Sequence, residues 1–186
     1  MTGSPTDYAW AAGFVDGEGY ICVTKKAPWE GIRRSGRGAG KVRRERGSYY
    51  WMVLVVVNRN PAPLQKLVEL FGGNIVYKAR QQGKNGYHMW RLNSQQALAA
   101  AEAMLPFLVG KADLARHCIS FQRWYNDTRV AGREMAAERR NHAEFYYLEC
   151  RRLLRLFNSY SAVGRKHNSP APAEVVTLAT GTEPQQ

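Results

Sequence analysis

The sequence predicts an α+β fold: helices packed on one mostly antiparallel four-stranded sheet, in the order α-β-β-α-β-β-α with further helices after it. Three observations predict this. Strand-type runs come in pairs between helical stretches; Gly, Pro and Asn clusters mark the boundaries; and 186 residues at 45% hydrophobic suffice for one domain with a real core.

Residues 7–16 read as a short helix, with Thr6 or Asp7 as N-cap. Tyr20 to Lys26 alternates in strand fashion, and a Gly/Arg-rich connection then runs to about Ser48. Tyr49 to Val57 is β-branched and aromatic, hence a second strand. Asn58-Arg-Asn-Pro61 is a turn; Pro61 or Pro63 opens a helix through Leu64, Leu67, Val68 and Phe71, closed by Gly72-Gly73. Asn74–Arg80 and Tyr87–Asn93 form a hairpin around Gln82-Gly-Lys-Asn-Gly86. Ser94 caps an Ala-rich helix to Met104, which Pro106 stops. Longer helices follow, from about Lys111 to Tyr125 and from about Arg133 to Phe157. The expected organisation is a domain over 1–157, with a basic connection at 25–48 and C-terminal helices over 111–157. After Asn158 the composition turns to Ser, Pro, Ala, Thr and Gln, which predicts a flexible tail over 158–186.

The net charge of +12 points to a polyanionic partner, nucleic acid rather than membrane, and there is no apolar run of 18 residues. Neither a signal peptide nor a long transit peptide fits the N-terminus, so an intracellular setting, bacterial cytoplasm or organelle, is expected. Cys22, Cys118 and Cys150 lack CxxC pairing and read as buried thiols in a reducing compartment. The four histidines lack zinc spacing, so any metal should be a hard ion held by oxygen.

The most informative segment is Tyr8-Ala-Trp-Ala-Ala-Gly-Phe-Val-Asp-Gly-Glu-Gly19. It runs a small-residue helix into two carboxylates, Asp16 and Glu18. Acids at a helix C-terminus are disfavoured by a few tenths to about 1 kcal/mol, so something must offset them. A divalent cation gripping a phosphate is one such partner. Ala9, Ala12, Gly13 and Asp16 form a small-residue stripe that permits close approach of another helix, and Trp10 and Phe14 should anchor the helix in its own core.

The segment resembles the signature helix of the LAGLIDADG homing endonucleases, with Ala11 at the usual Leu position. The resemblance implies a Mg²⁺- (or Mn²⁺-) dependent, site-specific double-strand DNA endonuclease. Glu18 matches the metal-binding carboxylate, and Gly17 adjoins it at the metal. Asp16 matches an acid of mostly structural use, with helix-end capping and metal contact both open. Pro106-Phe-Leu-Val-Gly-Lys111 matches the stretch that places a catalytic lysine near the active site, where the resemblance implies that Lys111 stabilises developing negative charge or perturbs a water; the alternative is a solvated lysine at a helix start. Asn58 fits the polar slot at the end of the second strand, or is only a turn residue. One motif copy implies a homodimer on a near-palindromic target. The alternative is an RNA maturase, with intron RNA as partner, or a non-cleaving DNA-binding protein. An initial Met and the lack of flanking splicing-type residues suggest a free-standing or intron-encoded protein.

Residues 25–46 hold nine cations against Glu30 and Glu45, an excess of seven in one connection. Among these, Arg33, Arg34, Arg37, Lys41, Arg43 and Arg44 are candidates for phosphates and guanine edges. Period two puts Cys22, Thr24 and Lys26 on one face of the first strand, and that set is the expected DNA face. Val76, Lys78 and Arg80 on the third strand and Tyr87, Met89 and Arg91 on the fourth correspond, with Lys78, Arg80 and Arg91 as candidate contacts. The second strand is nearly all apolar, so any readout there rests on thymine methyls or on few contacts.

Overall fold

The computed structural model describes residues 3–28, 30–32, 42–44, 48–79, 86–128 and 136–167. Its elements in chain order are α1 (Pro5–Glu18), β1 (Gly19–Lys26), β2 (Glu30–Ile32), β3 (Val42–Arg44), β4 (Tyr49–Asn58), α2 (Ala62–Phe71), β5 (Asn74–Lys78), β6 (Tyr87–Asn93), α3 (Ser94–Met104), α4 (Ala112–Asp127) and α5 (Ala137–His167). A short 3₁₀ turn over Leu105–Phe107 links α3 to α4. Without the β2–β3 ribbon, the order is the expected α-β-β-α-β-β-α with two further helices. The ribbon is an addition: part of the Gly/Arg-rich connection pairs antiparallel, Glu30 opposite Arg44 and Ile32 opposite Val42.

The main sheet has the order β1-β4-β6-β5 and each neighbouring pair is antiparallel. On one face Ile21, Val23, Met52, Leu54, Val56, Trp90 and Leu92 are buried. There the sheet meets Leu64 and Leu67 of α2, Ala97 and Ala101 of α3, and Leu114 and Phe121 of α4 in one core. Helix α2 ends at Gly72 and Gly73, at φ 74° and 85°, a left-handed exit that glycine makes without strain. The indole of Trp90 donates to the Gly72 carbonyl at 2.9 Å and ties β6 to this helix end.

Helix α5 covers the outer edge of β1. The Val23 amide donates to the Cys150 thiol at 3.3 Å, and Lys25 pairs with Glu144 at 2.6 Å, a carboxylate that also accepts from the Tyr50 hydroxyl. An open strand edge is thereby closed. All three cysteines are free and buried, with Cys118 and Cys150 sulfurs 3.9 Å apart.

Several boundaries differ from expectation: α1 runs on to Glu18, α5 starts at Ala137, and three more have a local cause. Helix α1 begins at Pro5 and its N-cap is Ser4, not Thr6 or Asp7. The Ser4 hydroxyl accepts from the Asp7 amide, and the Asp7 carboxylate accepts from the Ser4 amide, a capping box with Pro at the first helical position. Asn93, rather than Ser94, occupies the α3 cap position, and Ser94 sits at φ 46°. Helix α5 runs on to His167, so the compositional break at Asn158 does not end it; residues 168–186 of the expected tail lie outside the described residues.

The hydrogen bonds from Ser4 hold the Asp7 carboxyl at about 2, below the usual aspartate value of 3.8. A depressed carboxyl stabilises the fold above the unfolded value and loses that contribution as pH falls through the folded one. Ser4→Ala, which removes the cap, should lower stability in urea unfolding at neutral pH. The stability gap between wild type and Asp7→Asn should close as pH falls from 4 toward 2.

Candidate functional site

The two acids at the end of α1 have different surroundings. The Asp16 carboxylate accepts from three successive main-chain amides that lead into α4: Val109 at 2.7 Å, Gly110 at 3.1 Å and Lys111 at 2.8 Å. Three successive N–H groups form a concavity suited to an anion, and they fill three of the roughly four acceptor sites of a carboxylate. The Lys111 side chain returns the contact. It is only 4% exposed, and its ammonium donates to the Val15 carbonyl at 3.0 Å and to the Asp16 carbonyl. The Phe157 ring lies 4.5 Å from the same nitrogen. Burial pulls the Lys111 pKa below the usual lysine value, opposed by the charges of Asp16 and Glu18.

This clasp puts a cation at the negative end of α1 and an anion at the amides leading into α4, so both charges sit where the helix dipoles favour them. The offset for the acid at the end of α1 is thus supplied within the chain. Gly19 completes the turn: its amide donates to the Val15 carbonyl, and a Cβ there would lie 2.6 Å from that oxygen. Any side chain at Gly19 would push β1 away from α1.

Glu18 is exposed and makes no hydrogen bond or ion pair among the described residues. It lines a cleft of about 420 Å³ with Asp16, Gly17, Tyr20 and Lys111, closed on one side by Leu154, Phe157 and Asn158 of α5. The α5 residues are not legible as site residues in the sequence. Cys150, Leu154 and Phe157 do recur at helical spacing, a signal for a packing face, but nothing local says what that face packs on.

As for metal fit, no group of three His, Cys, Asp or Glu side chains gathers among the described residues. Of the two carboxylates lining the cleft, Asp16 is engaged and Glu18 is free among the described residues, beside the exposed Gly17. That donor set fits Mg²⁺ in its usual mode of one or two carboxylates plus substrate phosphates, and does not fit an all-protein cage.

The expected dimer stripe is corrected in part. Ala9, Gly13 and Gly17 are exposed and recur every four residues, whereas Ala12 is fully buried beside Ala11 and Val15, and Asp16 is held in the clasp. A helix advances 100° per residue, so Ala12 points toward the core while Ala9 and Gly13 point away from it. A Cβ added at Gly13 or Gly17 would meet nothing within 4 Å. Trp10 and Phe14 are half-buried and stacked on each other at 5.6 Å.

On the sheet face away from the core, strand pairing brings the expected set together. Tyr20 is opposite Val55, Cys22 opposite Val53 and Thr24 opposite Trp51, while Val55 is opposite Arg91, which is opposite Asn74. Lys26 and Lys78 share this face and are exposed, and Arg91 is half-buried with its Nε on Asn93 Oδ1 at 2.9 Å. Cys22 is a correction: it is 3% exposed and its thiol lies 3.4 Å from the Thr24 hydroxyl, so it is not offered to a ligand. Asn58 lies at the Glu18 end of the sheet, two residues past Val56, which pairs with Gly19. Its side-chain oxygen accepts from the Asn60 amide at 2.9 Å, and the pleat gives it the core-side parity of Val56. Arg43 and Arg44 fall on β3. Arg33, Arg34, Arg37, Lys41 and Arg80 lie outside the described residues.

No protein-family model matches the sequence, and no curated protein matches it. Solved structures do. The homing endonuclease I-TnaI superposes with a TM-score of 0.50 at 17% identity, over 84% of this chain and 99% of that one. The LAGLIDADG homing endonuclease I-GzeII, crystallised with its DNA target, superposes with a TM-score of 0.52 at 12% identity, over 80% of this chain and 43% of that one. The chain has the LAGLIDADG homing-endonuclease fold.

The clasp makes a stability prediction. Asp16→Ala leaves three amides without their anion and should cost about 2–3 kcal/mol; Lys111→Met should cost about 1–3 kcal/mol through the carbonyls it frees. Because each change loosens the other's anchor, the double variant should lose less than the sum in chemical unfolding. Strict additivity would count against a shared clasp.

Proposed function

We propose that this chain is a site-specific, divalent-metal-dependent double-strand DNA endonuclease that acts as a homodimer. The observation that carries the reading is the division of labour at the end of α1. The clasp occupies Asp16 and Lys111, and Glu18 is left as a free carboxylate beside an exposed small-residue ridge and a basic sheet face. I-GzeII, which shares the fold, was crystallised on a DNA target, and that supports DNA as the partner here.

In this reading α1 packs against α1 of a second copy along Ala9, Gly13 and Gly17, where backbones can approach closely. Glu18 from each copy, with phosphate oxygens, would hold Mg²⁺ or Mn²⁺. Such an ion supplies charge neutralisation on the phosphate and a water made nucleophilic at neutral pH. The chain's own residues orient the site. Lys111 and Asp16 fix the last turn of α1, and hence the direction of Glu18, which makes Lys111 a positioning residue rather than a group on the phosphate. Asn58, at the same end of the sheet, has its side-chain amide N–H groups left to hold a water or a phosphate oxygen. Thr24, Lys26, Lys78 and Arg91 contact the duplex from the sheet, and the arginines of the 25–48 connection add phosphate contacts.

Two measurements test this. Glu18→Gln should remove most of the Mg²⁺-dependent cleavage of target DNA while duplex binding persists; undiminished cleavage would remove Glu18 from the site. Gly13→Arg, placed where the monomer has open space, should leave the fold intact and shift the protein to monomers in sedimentation, with loss of double-strand cutting. No cleavage by the wild type, together with tight RNA binding, would favour a maturase on the same fold.

A further inference from the structure

The sheet face proposed to meet DNA carries an apolar feature that the cationic contacts do not explain, and its interpretation rests on that DNA-binding reading. Val57 pairs with Met89, and Met89 pairs with Val76, so these three side chains stand in one row across β4, β6 and β5. Residues directly opposite in antiparallel strands share a face and lie within contact of one another. Val57 and Val76 are 38% and 39% exposed, and Met89 is half-buried. The row is flanked by Arg91 on one side and Lys78 on the other. It lies at the Glu18 end of the sheet, since Val57 follows Val56, the partner of Gly19.

The geometry points to this row as a reader of thymine 5-methyl groups in the major groove, at the base pairs nearest the scissile phosphates. The chemistry leaves little else for it to read. The guanine and adenine edges there present N7 with O6 or an amino group, and cytosine presents an amino group. Any of these pressed against valine and methionine loses its water without gaining a partner. The thymine methyl is the apolar group on those edges, and its burial against the row is favourable. Lys78 and Arg91 supply the attraction to phosphates that the apolar row lacks, which argues for a duplex rather than a protein as the occupant. The apolar strand β4 thereby becomes a specificity element.

The test starts from a randomised duplex DNA pool, from which the full-length chain selects its binding sites. These are then resynthesised with deoxyuridine in place of thymine, one position at a time, which removes only the methyl. T·A pairs should recur at a fixed distance from the site centre. Uracil at those positions should weaken wild-type binding about three- to four-fold per methyl, the worth of one buried methyl group, while uracil elsewhere changes nothing. The Val57→Thr/Val76→Thr variant keeps the side-chain shape and β-branching but replaces one methyl of each valine by a hydroxyl, and should show a smaller thymine-over-uracil preference than the wild type. Equal wild-type binding of the two, or a full thymine preference in the double variant, overturns the inference. Sites that are bound and cut but indifferent to uracil overturn this inference alone; a pool from which no duplex is retained overturns the proposed function with it.

Discussion

The reciprocal capping of α1 and α4 is the constraint on which the rest of the site depends. Asp16 and Lys111 are 95 residues apart, yet each supplies what the other's segment lacks. The last turn of α1 needs a cation for its carbonyls, and Lys111 supplies it from inside the fold. The segment entering α4 turns three amides to one side, and Asp16 fills them. Phe157 of α5 then covers the ammonium, so a third helix is drawn to the same point. With Gly19 admitting no side chain, α1 has one way to pass into β1, and Glu18 has one place to emerge.

The sheet translates that junction into a surface. Its core face is closed by α2, α3 and α4, and its β1 edge is closed by α5 through Cys150 and Glu144. The opposite face stays open only in part: Cys22 and Val53 are buried there, while beyond them the strand pairing aligns Lys26, Arg91 and Lys78 with an apolar row between the last two. Strand β4 is apolar on both faces for two separate reasons. Met52, Leu54 and Val56 belong to the core, whereas Val55 and Val57 lie on the open side.

Much of this is legible locally. Period-two alternation groups residues of β1, β5 and β6 that the strand pairing also places on one face, although Cys22 of that set is buried. The start of α1 lies two residues ahead of the predicted one: Ser4-Pro5 is the start signal, and the capping box to Asp7 is present in the sequence. The small-residue stripe fails at Ala12 for a different reason. Small residues occur on every side of α1, so composition alone does not say which side faces the core. The end of α5 escapes prediction because Ser, Tyr and Gly after Asn158 weaken helix propensity without forbidding a helix that is already nucleated and packed upstream.

By itself the sequence determined the order of elements, the antiparallel sheet and the presence of two acids at a helix end, since each is encoded by residues close in the chain. Only the tertiary structure decided which acid is free. The partners of Asp16 are the amides of residues 109–111, and a main-chain amide has no signature in sequence. Charge compensation at a helix end acts through space over a few ångströms, so the residue that supplies it can come from anywhere in the chain. That is why two carboxylates two positions apart end with different roles, one inside a clasp and the other facing an open cleft.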